Sequence, residues 1–271
     1  RLLYDRLIVP GEDEIASFYG LLARELRVAE DFSRVDFRLD ERARWHDGTP
    51  VTSDDVAFTF ETLKTEGAPF YRQAFRPLSV RVEDERTVSI LSERPGDRDL
   101  VRRISSIPIH PAHHWRGRTR EAARADPLGS GPYRLVSAEA PRRVVLERVP
   151  GWWAADHPTA RGRFNFDRIE IDFYRDATVA LEAFRADAFD VATESDPTRW
   201  RTAYAGPAFA DGRIRKKTFE GTGAGTLHGL VFNMRRPLLA DRRVRLALAL
   251  AWDFEAANRT LFSDGYRRFA S

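Results

Sequence analysis

A chain of 271 residues with 42% apolar content can bury a substantial core, and it reads as globular rather than disordered. No apolar run approaches the roughly 20 residues that span a bilayer, and the lack of any cysteine excludes disulfides and thiolate metal sites. Its 44 basic and 41 acidic residues leave a net charge of +3 without a long basic block, which argues against a nucleic-acid partner. Only Lys64, Lys216 and Lys217 are lysines, an arginine bias that fits a GC-rich genome. The single methionine is Met234 and no signal sequence opens the chain, so a processed or truncated fragment is expected.

In chain order, Leu2 to Val9 is β-compatible and ends at Pro10-Gly11, and Ile15 to Val28 carries Phe18, Leu21, Leu22 and Leu26 near helical spacing. Phe37 and Leu39 alternate with Arg38 and Asp40 as a half-buried strand does, and Asp47-Gly48 supplies a turn. Thr52 and Ser53 stand at a helix N-cap, Asp54 and Asp55 favour the positive helix terminus, and Val56, Phe60 and Leu63 form a buried stripe. Val80 to Val82 and Thr87 to Leu91 predict two strands around a charged turn. Asp97 to Ser105 predicts a short helix, and Ile107 to Pro111 an extended segment, because proline biases its predecessor away from helix.

From Gly131 the strands lengthen: Tyr133 to Val136, Arg143 to Val149 and Phe166 to Tyr174. In the last, Ile169, Ile171 and Phe173 alternate with Glu170, Asp172 and Tyr174, which predicts a central-sheet strand with one buried face. Asp176 should cap a helix carrying Val179, Leu181, Ala183 and Phe184, after which Phe189 to Ala192 returns as a short strand and Pro197 to Tyr204 as a helix. Arg213 to Phe219 and Leu227 to Met234 read as strands around a glycine-rich loop. Asp241 opens a helix through about Leu261, with Val244, Leu248, Ala251 and Trp252 inward.

Four blocks stand in a fixed order. They are Phe37-Arg38-Leu39 with Trp45-His46-Asp47-Gly48-Thr49-Pro50-Val51-Thr52-Ser53-Asp54-Asp55-Val56; Asp126 to Tyr133 (DPLGSGPY); Val145 to Arg148 with Trp152-Trp153; and Val231-Phe232-Asn233 with Arg236-Pro237 and Asp241 to Ala251. This spelling resembles family 5 of the extracellular solute-binding proteins, the peptide-capturing components of ABC importers. The wording ESDPTRW, DGRIRKK and GLVFNMRRP is most similar to its YejA-like oligopeptide-binding branch.

The resemblance implies an α/β fold of the type II periplasmic binding protein kind: a mixed-sheet lobe with an inserted α+β subdomain, in a fragment lacking most of the second lobe. Residues 1–10 and 130–232 are expected as the first ligand-binding lobe, 11–129 as the insert, and 233–271 as the start of the second lobe after the crossover. It further implies an exported, periplasmic protein, monomeric at full length, that needs no cofactor, performs no bond chemistry and meets an inner-membrane ABC permease transiently. A nickel chelate, haem or a sugar is the alternative ligand class within the family, and a carboxylate-dependent hydrolase the alternative outside it.

Several motifs invite sharper readings. His110, His113 and His114 could suggest zinc, but Pro111 spoils the helical facing and no acidic or cysteine partner adjoins, so a surface helix start is the better account. Gly221, Gly223 and Gly225 lack the following helix of a dinucleotide fingerprint. Ser130 lacks a nucleophile elbow. Trp152 and Trp153 are read as packing at a sheet edge, and the sequon at Asn258 as chance. By the resemblance, the residues after Phe189 to Ala192 contact the peptide main chain: Thr193, Glu194, Ser195 and Asp196, followed by Arg199 and Trp200. Thr226, His228, Phe232 and Asn233 of the crossover strand are the second candidate set. Buried peptide N–H and C=O groups must be re-paired, a task that strand ends and polar loops perform.

Overall fold

The computed structural model describes residues 2–12, 14, 16–219 and 229–268. Two compact units divide the chain, Arg1–Phe173 and Tyr174–Ser271.

In the first unit, β1 (Ile8–Pro10) pairs with β2 (Phe18–Gly20). A four-stranded antiparallel sheet follows, built from β3 (Ala23–Val28), β4 (Arg34–Leu39), β5 (Leu78–Val82) and β6 (Thr87–Ser92) in the order β3-β4-β6-β5. Alternation in β4 buries Val35, Phe37 and Leu39, and the register sets Val35 beside Ile90 and Phe37 beside Val88. The helix α1 (Ser53–Thr65) adds Val56 and Phe60 to the same core, and α2 (Pro69–Phe75) adds Phe75 against Phe60, with ring centroids 5.6 Å apart. Each such fully buried aromatic side chain contributes about 2 to 3 kcal/mol. Short helices α3 (Leu100–Ser105), α4 (Ala112–Trp115) and α5 (Arg120–Ala125) lead to a second antiparallel sheet of β7 (Tyr133–Glu139), β8 (Arg143–Arg148) and β9 (Arg168–Asp172).

Two expectations fail in this unit. The helical spacing of Ile15 to Val28 is overridden: β2 and β3 occupy it, because Leu21, Leu22 and Ala23 donate backbone hydrogen bonds to Leu7 and Arg6 carbonyls, and β3 finds β4 as a ladder partner. The pairing also buries Leu22 and Ala23 in the main core, where they contribute more than helical periodicity alone offers. Likewise β9 is an edge strand, not a central one, and its apolar face is open, with Ile171 and Phe173 39% and 55% exposed.

The second unit is helical among its described residues: α6 (Ala177–Arg185), α7 (Pro197–Thr202), α8 (Pro207–Ala210), α9 (Pro237–Ala240), α10 (Arg242–Ala251) and α11 (Phe254–Phe262). Asp176 caps α6 by accepting from the Thr178 and Val179 amides at 3.0 and 2.9 Å. The strands expected at Phe189 to Ala192, at Arg213 to Phe219 and in 229–234 do not form, because a strand needs a ladder and no described segment of this unit offers an edge. The glycine-rich loop lies outside the described residues.

The single helix expected from Asp241 breaks at Trp252-Asp253. There the Asp253 carboxylate accepts from the Ala256 amide at 2.9 Å and starts a new helix. Leu248 and Trp252, expected inward, are 46% and 56% exposed, since no described element packs over that face. Asn258 is buried inside α11, where its side chain binds both the N–H and the carbonyl of Tyr266.

Candidate ligand-binding groove

The first unit shows why the ordered motifs have their spelling. Gly48 takes a positive φ of 87° in the turn, and the Asp47 carboxylate accepts from the Thr49 amide at 2.9 Å and its hydroxyl at 2.7 Å. The buried Asp55 carboxylate accepts from the Thr52 amide at 2.9 Å and, more weakly, its hydroxyl at 3.4 Å, from the Trp45 indole at 3.1 Å and from the Ala112 amide at 2.8 Å. It joins turn, helix and the segment after Pro111 in one knot. In the GSG run, a Cβ on Gly129 would overlap the Leu3 carbonyl oxygen, which instead accepts from the Ser130 and Gly131 amides at 3.0 and 2.9 Å.

A second knot in this unit lay outside the sequence reading. Asp5 is buried, and its carboxylate accepts from the Trp153 indole at 2.9 Å and, more weakly, from Trp152 at 3.4 Å. Both indoles also reach the Ser130 carbonyl. Burial pushes the Asp5 carboxyl from 3.8 up to about 7, against the opposing pull of the indole N–H groups and of Ser130. The Trp152-Trp153 pair is thus a packing element with a polar seam, and no signal short of pairing Asp5 with residues some 150 positions away could have shown it.

The three histidines separate. His110 sits between the rings of Tyr4 and Trp115, and burial pulls its pKa from 6.5 down to about 4. His113 pairs with Asp47 at 2.9 Å, and His114 with the Asp126 carbonyl at 2.7 Å. Among the described residues no group of three His, Cys, Asp or Glu side chains is placed to hold a metal ion, and no helix is long and apolar enough to cross a membrane.

The second unit holds an open groove of about 640 Å³, and five of the residues singled out in the sequence line it: Thr193, Glu194, Ser195, Asp196 and Trp200. Asp196 caps α7 by accepting from the Arg199 amide at 2.9 Å, and Pro197 at the first helical position suits that start. Glu194, only 7% exposed at its side chain, accepts from the Asp196 amide at 2.8 Å, pairs with Arg199 at 3.3 Å and meets the Tyr204 hydroxyl at 3.4 Å. Burial, then the Glu194 charge, pushes the Tyr204 phenol up. Arg199 therefore acts from behind the lining, as a brace for the two carboxylates. Thr193 and Ser195 are the exposed members of the alternation, with side chains open to solvent.

The far wall was missed. It comprises Tyr204, Phe209 and the run Ile214 to Phe219, in which Lys216 stands 4.6 Å over the Trp200 ring and Lys217 4.7 Å over Phe219. Reading Arg213 to Phe219 as a strand hid it, although two adjacent lysines in an arginine-rich chain were a visible signal. Of the second candidate set, Phe232 and Asn233 do not line the groove, and the Asn233 side chain accepts from the Arg235 amide at 3.2 Å. Thr226 and His228 lie outside the described residues.

The fold is that of the type II periplasmic binding proteins. The oligopeptide-binding protein AppA from Bacillus subtilis, solved with a nonapeptide, matches it with a TM-score of 0.68 at 20% identity, over 99% of this chain and 51% of AppA. More particularly, the chain belongs to the bacterial extracellular solute-binding proteins, family 5, whose middle-region family model matches residues 17–270. The uncharacterized protein YejA of Escherichia coli K12 is 40% identical over 267 residues, covering 98% of this chain and 44% of YejA. The peptidoglycan-binding protein YepA of Agrobacterium fabrum is 35% identical over 280 residues, covering 100% of this chain and 46% of YepA. The chain therefore spans about half the length of the curated relatives it matches.

Proposed function

We propose that this chain forms part of a periplasmic solute-binding protein that captures oligopeptides in a cleft between two lobes and hands them to an ABC permease. The observation that carries the reading is the convergence of Thr193, Glu194, Ser195, Asp196 and Trp200 on one open groove. Exposed Thr193 and Ser195 present polar groups to re-pair a buried peptide main chain, and Trp200, Tyr204 and Phe209 give a wall tolerant of varied side chains. Glu194 and Asp196 are engaged with Arg199 and the α7 amides, so they hold the groove's shape.

In this reading residues 1–10 and 130–232 belong to the first lobe, 11–129 to its insert and 233–271 to the second lobe, with the crossover near Asn233 as hinge. Ligand contacting both lobes favours the closed state, because only differential affinity shifts such an equilibrium. Native mass spectrometry of the full-length protein, purified without denaturation, tests it. Co-purified peptides of mixed mass are expected. A single non-peptide mass rejects the oligopeptide reading, and turnover of the ligand on incubation rejects binding without chemistry.

A further inference from the structure

The groove's two walls carry unequal charge. On one side three carboxylates line it, Asp190, Glu194 and Asp196, of which Arg199 pairs with the last two, at 3.3 and 3.4 Å. On the other, Arg215, Lys216 and Lys217 line the groove, and among the described residues none of the three is paired with a carboxylate. Lys216 donates to the Trp200 carbonyl, which leaves two of its ammonium protons, and Lys217 meets only the Phe219 ring.

We infer that this groove selects peptides that present a carboxylate to Lys216 and Lys217, either on an acidic side chain or at the C terminus. The inference rests on the peptide reading above and adds the ligand's charge. Each ammonium lies on an aromatic face at the groove, so its long stem is already placed and one side of it is shielded from water. A carboxylate then meets a positioned cation instead of ordering a free one.

Residue choice points the same way. Of the 44 basic residues only three are lysines, and two of those three stand side by side here. An arginine fork favours carboxylates arriving in its plane, whereas an ammonium offers three rotatable donors to any direction of approach. Lysine therefore suits a site that reads charge while tolerating different peptide lengths and sequences.

The test uses the full-length protein and three pentapeptides with free N termini: one with central glutamine and an amidated C terminus, one with central glutamate and the same amide, and one with glutamine and a free C-terminal carboxylate. By calorimetry in 0.1 M salt, at least one carboxylate peptide should bind about fivefold tighter than the neutral one. That ratio should fall below about twofold in Lys216→Gln/Lys217→Gln, persist in Lys216→Arg/Lys217→Arg, and shrink as salt rises. Which of the two peptides gains tells side-chain from C-terminal recognition. Equal affinity for all three, or an unchanged ratio in the glutamine variant, overturns the inference and leaves the peptide reading standing. Failure of all three to bind overturns the peptide reading, and this inference with it.

Discussion

Two helix starts, α1 and α7, use the same chemistry to opposite ends. At α1 the Asp55 carboxylate turns inward, satisfies Thr52, Trp45 and Ala112, and is sealed under the core. At α7 the Asp196 carboxylate satisfies the Arg199 amide, yet it lines an open groove beside exposed Thr193 and Ser195. Three of the four ordered blocks that make the family recognisable lie in the unit of the first start, and the candidate ligand contacts lie beside the second. A motif is legible when many local constraints converge on it, whereas a groove for varied ligands needs few fixed partners.

Stability should separate the two starts most strongly. Asp55→Ala leaves the buried Trp45 and Ala112 donors and the half-buried Thr52 amide without an acceptor and should cost roughly 4 kcal/mol, while Asp196→Ala should cost about 1 kcal/mol as an ordinary cap loss. Urea unfolding of both variants checks this, and equal losses would break the contrast.

The next effect is set by pH and lies wholly in the sealed unit. Asp5 ionises at about 7 when folded and near 3.8 otherwise, so the folded state holds the extra proton between these values. Its stabilising contribution is complete below pH 3.8, declines as pH rises, and is gone above about 7, on the order of 4 kcal/mol in all. His110 has the opposite sign: with its pKa at about 4 instead of 6.5, its contribution is complete above 6.5 and is lost as pH falls through 4. The two offset each other between about 4 and 6.5. Asp5→Asn should therefore gain on the wild type as pH rises from 4 to 7 and hold that gain above 7. His110→Phe should gain on it as pH falls from 6.5 to 4. Unfolding midpoints measured across that range decide, and parallel curves would show that neither buried group titrates as its surroundings imply.

In the groove the contrast predicts a change in binding. Trp200 packs on Tyr204 at 5.5 Å and carries Lys216 on its face, so Trp200→Ala removes a wall of the groove and one support of the cation. Peptide affinity of the full-length protein should fall about tenfold, by the usual worth of such an aromatic contact. Binding unchanged in calorimetry would move the ligand elsewhere.

How much of this was legible follows from the range of the forces involved. Capped helices and hairpins were read correctly where signal and structure are both local: Thr52 with Asp55, Asp176 with α6, and β5 with β6. Tertiary pairing erased the helical spacing around Phe18 to Leu26. Segments such as Phe189 to Ala192 have strand composition but no ladder, and composition cannot supply a neighbour. Of the candidate contacts, the Thr193 to Trp200 side of the groove was visible only through the family resemblance, which singled out the residues following Phe189 to Ala192. The Lys216 to Phe219 side was not, since only the fold brings it opposite Trp200.

The smallest expected effect concerns the break between α10 and α11, where periodicity alone predicted one helix. An aspartate competes for the backbone: its carboxylate satisfies the Ala256 amide and leaves Trp252 extended. Asp253→Ala removes that alternative and supplies the best helix former in its place. If the cap causes the break, the change costs less than about 1 kcal/mol, since one lost cap is offset by the gain of helical residues. The Cα chemical shifts of residues 251–254 should then become helical. Shifts that stay extended would mean that packing around Trp252, and not the local signal, ends α10, so that the second unit obeys the same tertiary override that turned Phe18 to Leu26 into strands.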